Sequence, residues 1–227
     1  MEPRYSRNFE SLSLDEQMII RNQTILVVGA GGLGGLLLDH LARLGVKKIK
    51  IIDFDCFDLS NLNRQLLSNE NNLGFYKVEE AKKHINLVNS TVQVEIFSER
   101  FENCDFKTLF KDVDVVFDCC DNIESKFHIE IQSQLFKIPL IYGAVGGFFG
   151  QVGIILPGHP LLNQIYPRTN LKGIESKIGN LCTTVSIVSS LQVSLFLKLI
   201  LNKTFKLNGF YYIDTLSFDL EWIPFAE

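Results

Sequence analysis

Residues 24–53 read TILVVGAGGLGGLLLDHLARLGVKKIKIID, and this stretch decides the fold. Thr24 to Val28 is a β-branched run that stops at Gly29. Leu33 to Leu44 then carries apolar residues at helical spacing, closed by Gly45, and Ile49 to Ile52 is a second apolar run ending at Asp53. Between the first strand and the helix, Gly29-Ala30-Gly31-Gly32-Leu33-Gly34 satisfies G-x-G-x-x-G in the context that binds nucleotides. Glycines there let the backbone turn tightly and approach a phosphate or ribose, while the helix N-terminus favours negative charge. A carboxylate at Asp53 is placed to accept hydrogen bonds from ribose hydroxyls. The same turn can serve strand–helix packing alone, and it does not say which nucleotide is bound.

Outward from this unit the alternation continues. Tyr76 to Val88 reads as an amphipathic helix with Val78, Ala81, Ile85 and Val88 on one face. Val92 to Phe97 and Val113 to Phe117 read as strands, Ser125 to Phe136 as a helix, and Leu140 to Tyr142 as a strand opened by Pro139. After residue 150 the rhythm changes. Gln151 to Leu156 is a strand, residues 157–180 show no periodicity and are expected to be a mobile loop, and Leu181 to Leu197 is a long apolar helix. Two strands, Phe210 to Asp214 and Leu216 to Ile223, close the pattern. The expected fold is α/β, a doubly wound Rossmann-like and mainly parallel sheet with a C-terminal antiparallel extension. We expect one domain over 1–227: an N-terminal helical arm (1–22), a nucleotide-binding half (23–150) and a C-terminal part (151–227).

The composition fits a folded α/β chain: 227 residues, 46% hydrophobic and 21% charged. A net charge of −4 with a pI near 5.6 argues against a basic nucleic-acid face. Five cysteines make no disulfide scaffold, and Met1 to Glu16 holds no apolar signal region, so a reducing cytoplasm is expected. Leu181 to Leu197 is uncharged and near the minimum length of about 17 residues for a membrane span. Its density of serine and threonine, with Gln192, suits a helix buried in protein or at a subunit interface instead. No membrane is expected.

Three charged residues separate the candidate nucleotides. Adenylation sets a carboxylate against the phosphates of ATP, so the like charges must be screened where charge develops. Arg64 suits bidentate contact with phosphate, and Lys77, at a helix start, acts as a point charge. Each alone reads equally as a solvated surface cation. Asp121 follows the strand ending Asp118-Cys119-Cys120, at the carboxyl edge where open α/β sheets bind ligands, and one carboxylate plus substrate phosphates makes a Mg²⁺ site. Asp121 also reads as an Asx cap of the next helix. Along the strand, Asp118 and Cys120 face one way and Cys119 and Asp121 the other.

Arg4-Tyr5-Ser6-Arg7, the glycine turn, Asp53-Phe54-Asp55, Ser60-Asn61-Leu62-Asn63-Arg64-Gln65, Lys77 and Cys120-Asp121-Asn122 occur together and in this order. That set resembles the ThiF/MoeB/HesA family, bacterial relatives of ubiquitin-activating enzymes. The resemblance implies a homodimeric, ATP- and Mg²⁺-dependent adenylyltransferase acting on the C-terminal Gly-Gly of a small ubiquitin-like sulfur carrier. It implies that Gly32 and Asp53 hold the adenosine side, that Asn61, Arg64 and Lys77 contact phosphates, and that Asp121 binds Mg²⁺. Gly29, Gly31, Gly34, Asp55, Gln65 and Asn122 complete the expected nucleotide site. Arg7 resembles an arginine that the neighbouring subunit supplies across the dimer interface.

The sequence departs from the family in two places. Many relatives carry two Cys-x-x-Cys pairs for zinc; here Leu161-Leu162-Asn163-Gln164 stands at the first, and no zinc is expected. Anchoring on Ser190-Leu191-Gln192 puts the relatives' reactive cysteine near Glu175, so Cys182 reads as a buried residue of the long helix's first turn. Without a reactive thiol the enzyme would adenylate its partner but form no thioester. Phe148 and Phe149, set among glycines, read as core residues at a strand start or as part of a carrier-docking surface. His40, His84, His128 and His159 are dispersed, and none reads as a base or ligand. The competing readings are a tRNA-modifying dehydratase of the same family, which the acidic pI disfavours, and an NAD-dependent oxidoreductase, which leaves Arg64, Lys77 and Asp121 unexplained. A pseudoenzyme that keeps the fold is disfavoured because every charged position is retained.

Overall fold

The computed structural model describes residues 2–166 and 178–225. The N-terminal arm is a 3-10 turn, Pro3–Asn8, followed by α1 (Leu14–Arg21), which opens on a capping box of Ser13 and Glu16. Tyr5 fastens the arm: its ring is 1% exposed and its hydroxyl accepts a 2.9 Å bond from Asn89 Nδ2.

β1 (Thr24–Val28), α2 (Gly32–Leu44) and β2 (Lys48–Ile52) follow the reading of the glycine turn almost residue for residue. Next come α3 (Lys77–Val88), β3 (Gln93–Phe97), α4 (Phe106–Leu109), β4 (Val115–Asp118), α5 (Ile123–Phe136), β5 (Leu140–Gly146) and β6 (Phe149–Ile155). α6 (Leu162–Ile165), α7 (Cys182–Ile200), β7 (Gly209–Asp214) and β8 (Asp219–Pro224) complete the described chain. The strands form one eight-stranded sheet among the described residues, in the order β3-β2-β1-β4-β5-β6-β7-β8. Pairing is parallel from β3 to β5 and antiparallel from β5 to β8, which is the doubly wound sheet with a C-terminal extension that the pattern predicts.

β1 explains why its sequence is apolar without alternation. Ile25 and Val27 join the core under α2, α3 and α7, and Leu26 and Val28 join the core under α4, α5 and α6. A strand covered on both faces needs apolar residues at every position. Because the chain leaves β1 toward β2 on one side and returns to β4 on the other, a crevice opens at the carboxyl ends of β1 and β4.

α7 is long and apolar enough to span a membrane by length and composition. Here it packs on α2, β5 and β6, and it buries Thr184, Ser189 and Gln192 completely. Gln192 Nε2 donates to the Asp118 carbonyl at 2.9 Å, while the hydroxyls of Ser186, Ser190 and Ser194 donate to carbonyls four residues back.

Three expectations change. β8 starts at Asp219 rather than Leu216, because Asp214 Oδ1 accepts the Leu216 and Ser217 amides in a turn where Phe218 adopts φ 66°. Within the expected mobile loop, 157–166 is described and holds α6, whose Leu161 and Leu162 amides donate to Glu130 Oε1; residues 167–177 lie outside the described residues. Cys182 is exposed at the start of α7 rather than buried in its first turn.

Candidate active site

The crevice between β1 and β4 deepens into a cavity of about 390 Å³. Its floor is the glycine turn. Gly29 has φ 98°, and a Cβ there would lie 2.8 Å from the Cys119 carbonyl oxygen, so the turns after β1 and β4 touch backbone to backbone. Gly31 and Gly32 line the cavity. Gly34 does not: a Cβ there would fall 1.9 Å from the Gly29 carbonyl oxygen, so this glycine lets α2 seat against the turn. The N-cap of α2 is Gly31, which has no side chain to cap the first turn beside the cavity.

Asp53 ends β2 with both carboxylate oxygens engaged by backbone: Oδ2 accepts from Ala30 N at 2.7 Å and Oδ1 from Asp55 N at 2.8 Å. Burial pushes its pKa up, against the Lys77 charge and these two amides. The bonds fix the carboxylate at the cavity wall, and each oxygen retains capacity to accept another hydrogen bond.

Lys77 is the first residue of α3 and is 8% exposed, so it is not a solvated surface cation; its ammonium meets Asp55 Oδ2 at 2.9 Å. Arg64 donates through one guanidinium nitrogen to the Ser60 carbonyl at 2.9 Å and Asn63 Oδ1 at 2.8 Å, and it lines the same cavity. Gln65 is buried beside the turn, and its Oε1 has no hydrogen-bond partner among the described residues. Asn61 lies off the cavity: its side chain is buried and accepts from Asp58 N at 3.1 Å, closing a 3-10 turn.

On the opposite wall the capping role falls to Asn122, whose Oδ1 accepts from Ser125 N at 2.7 Å at the start of α5. Asp121 is thereby left exposed at the cavity, with no hydrogen bond or ion pair to a described residue. Cys119 packs among the residues under α2 and Cys120 among those under α5, the opposite faces expected of them. Burial and the Asp118 charge push both thiols up, so neither is a thiolate near neutral pH.

The sequence reading missed Lys126. Its side chain is 3% exposed, its Nζ donates to Asp118 Oδ2 at 3.0 Å and to the Gly143 carbonyl at 2.7 Å, and it lines the cavity. Burial works against its charge, but the fully buried Asp118 beside it holds the ammonium protonated. The signal was present: Lys126 sits at core spacing on α5 between Ile123 and Ile129, where a cation needs a buried partner.

Two further placements complete the picture. Phe148 and Phe149 are 41% and 36% exposed, so neither is a core residue; Phe149 stacks on Tyr212 at 6.0 Å and lines the cavity. Arg7 is exposed on the 3-10 turn, makes no hydrogen bond to a described residue, and does not line its own chain's cavity.

Comparison with known proteins agrees with this architecture. The profile of the ThiF family matches residues 5–227. A probable molybdopterin-synthase adenylyltransferase of Porphyra purpurea is 35% identical over 95% of this chain, which spans 59% of that relative's length. The molybdopterin-synthase adenylyltransferase of Haemophilus influenzae is 32% identical over 84% of this chain and 81% of its own length. The SAMP-activating enzyme E1 of Haloferax volcanii is 28% identical over 98% of this chain and 84% of its own length. Among solved structures, E. coli MccB superimposes with a TM-score of 0.83 at 21% identity, covering 98% of this chain and 69% of its own, a likeness of fold.

Proposed function

The chain belongs to the ThiF family, and we propose that it is an ATP-dependent adenylyltransferase activating the C-terminal Gly-Gly carboxylate of a small ubiquitin-like sulfur carrier. The observation that carries this reading is the convergence of Arg64, Lys77 and Asp121, which pairs with no described residue, on the cavity floored by the glycine turn. A hydride-transferring enzyme has no use for that set.

The residues present fit ATP. Asp53 offers its remaining acceptor capacity to ribose hydroxyls, and Gln65 Oε1, without a partner among the described residues, marks an unfilled hydrogen-bonding position beside the turn. Arg64 and Lys77 stand where phosphates leaving the turn would meet positive charge. Asp121 suits Mg²⁺, which takes one or two carboxylates plus substrate phosphates rather than a protein cage. When bound, the metal supplies neutralisation of phosphate charge; among the described residues no cluster of three potential ligands competes with this arrangement.

In the reaction, a carrier carboxylate oxygen attacks the α-phosphorus. The carboxylate–phosphorus bond forms while the bond to the bridging oxygen breaks, and its electron pair departs with pyrophosphate. The carboxylate is already ionised, so no general base is required. Arg64 and Lys77 lower the barrier by stabilising charge as it gathers on the leaving group. Arg7, exposed and away from its own cavity, supports a homodimer in which each subunit lends this arginine to its neighbour. Five free cysteines suit a reducing cytoplasm as the working compartment.

ATP–pyrophosphate exchange with Mg²⁺, run against a panel of Gly-Gly-ending carrier proteins, tests the proposal. We expect carrier-dependent exchange that Asp121→Ala abolishes while the melting temperature stays unchanged. Clear NAD binding without ATP binding would refute it. ATP binding without exchange on any carrier would transfer the activity to another acceptor, with tRNA the next to assay.

A further inference from the structure

Among the buried residues of α7, Gln192 has the longest polar side chain, and it is fully buried. A buried amide costs free energy unless hydrogen bonds offset it, and a leucine or methionine would fill the same space without that cost. The strands beneath it explain its presence. Ladder pairing between β4 and β5 ends at Phe117–Ile141; β5 then runs on to Gly146 beside β6, while β4 stops at Asp118. Side chains from both faces of the sheet supply donors where the ladder stops. From the α7 side, Gln192 Nε2 donates to the Asp118 carbonyl at 2.9 Å and reaches the Ile141 carbonyl at 3.5 Å. From the α5 side, Lys126 Nζ donates to Asp118 Oδ2 and to the Gly143 carbonyl. Gly143 is matched to this bridge, since a Cβ there would run into the Gln192 amide.

Both bridges meet on Asp118, and Asp118 governs the turn that follows. Its Oδ1 accepts from the Cys120 amide at 3.0 Å, and Asp121 comes next, exposed at the cavity. Gln192 itself does not line the cavity, so it acts on nothing bound there directly. We propose that Gln192 is a positioning residue: by tying the end of β4 to β5 where their ladder stops, it fixes the Asp118–Asp121 turn and so the point from which Asp121 reaches its metal. The inference rests on the reading of Asp121 as the Mg²⁺ carboxylate and adds to it the support behind that carboxylate. Lys126 holds the Asp118 side chain, whereas Gln192 holds its backbone. Without the amide the Asp118 carbonyl loses this donor, and the strand end is free to shift.

Gln192→Met keeps the length of the side chain and removes the donor. Gly143→Ala presses on the same amide from β5 and is an independent second variant. Val193→Ala, a core truncation at the next position of α7, controls for loosening of the helix alone. Mg²⁺ titration of ATP–pyrophosphate exchange, with a Gly-Gly-ending carrier that supports it, reads the effect. Removing a partner that orients a metal-binding group costs about 10–100-fold in metal affinity or activity. The Mg²⁺ midpoint should therefore rise about tenfold or more in Gln192→Met and Gly143→Ala, with KM for ATP at saturating Mg²⁺ unchanged. Val193→Ala should lower the melting temperature and leave the midpoint in place. Hydrogen exchange on the ligand-free proteins needs no activity: amides 119–122 should exchange faster in Gln192→Met and Gly143→Ala than in the wild type or Val193→Ala. A Gln192→Met enzyme with the wild-type Mg²⁺ midpoint overturns the proposal, as does an equal shift in Val193→Ala. Wild-type protein without Mg²⁺-dependent exchange refutes the adenylation reading itself. Hydrogen exchange then decides the positioning role alone: faster exchange confined to amides 119–122 upholds it, and wild-type rates in both variants overturn it.

Discussion

Gly34→Ala and Gly32→Ala, two substitutions in one motif, should fail in opposite ways. At Gly34 the new Cβ would lie 1.9 Å from the Gly29 oxygen and 2.8 Å from the Gly29 carbonyl carbon, where real contacts stay beyond 3.0 Å. Something must therefore move by about 1 Å, a gap at which packing energies already change steeply. Gly29 cannot yield, since its φ of 98° and its 2.9 Å amide bond to the Ile52 carbonyl fix it in the turn. The displacement falls on α2, which carries Leu33, Leu37, Leu38 and Leu41 into the core. Overpacking costs about 1–3 kcal/mol, and backbone pressed on backbone belongs at the upper end. At roughly 2–4 °C per kcal/mol for a chain of this size, the melting temperature should fall by about 6–12 °C. Gly32 is different. Its added Cβ meets Val185 Cγ1 at 3.3 Å, a side chain that can rotate, and alanine is the better helix former by about 1 kcal/mol. Gly32→Ala should melt at or slightly above the wild type and lose ATP affinity, because Gly32 lines the cavity. Urea unfolding and ATP titration of both variants decide the matter. A Gly34→Ala protein as stable as the wild type would refute the packing role, and a Gly32→Ala protein with unchanged ATP affinity would remove Gly32 from the nucleotide site.

Other perturbations follow from the same geometry. Lys126→Met leaves the Asp118 charge buried without its partner and should cost about 3–5 kcal/mol in urea unfolding, most of it regained in Asp118→Asn/Lys126→Met; a double variant no better than the single contradicts the ion-pair account. Asp39 is raised by burial but brought down to about 2 by hydrogen bonds from His84 at 2.9 Å and Arg43 at 2.8 Å. Its folded pKa lies below the unfolded value, so the carboxylate contributes about 2 kcal/mol that is complete above pH 4 and lost as pH falls toward 2. The stability difference between wild type and Asp39→Asn should fade over that window, and a pH-independent difference excludes the linkage. Subunits carrying Arg7→Ala mixed with subunits carrying Asp121→Ala should recover part of the exchange activity; no recovery, with subunit exchange verified, removes the shared site. A thiol reagent should label the exposed Cys182 and Cys56 quickly and Cys119 only on unfolding, with Cys182→Ala removing one fast equivalent.

The division between what could be read early and late follows the range of the forces involved. Thr24 to Val28, Gly29 to Gly34 and Asp53 were legible because strand periodicity, tight turning and helix starts are local properties of consecutive residues. From them came the parallel sheet and its crevice. The Asx cap was legible as a function but not as a residue: Asp121 and Asn122 both suit it, and α5 starts at Ile123 with Asn122 as its cap. Asn61 and Gly34 share the motif's spacing with their neighbours, yet one closes a 3-10 turn and the other seats a helix, since neither backbone path brings its atoms to the cavity. Lys126 was legible as a cation at core spacing, but its partner Asp118 was not, because only the packing of α5 against β4 turns the two side chains together; Arg100 and Phe54 belong to segments that the closed sheet brings side by side.

What the sequence by itself determined is therefore the doubly wound sheet, the glycine turn and the family. Which charges remain free to act was decided only in three dimensions. Whether a buried carboxylate keeps its charge for a ligand depends on the neighbours that packing sets against it, and those are fixed by how helices seat on the sheet. Asp118 is consumed by Lys126, and Asp121, three residues on, is left open to the cavity.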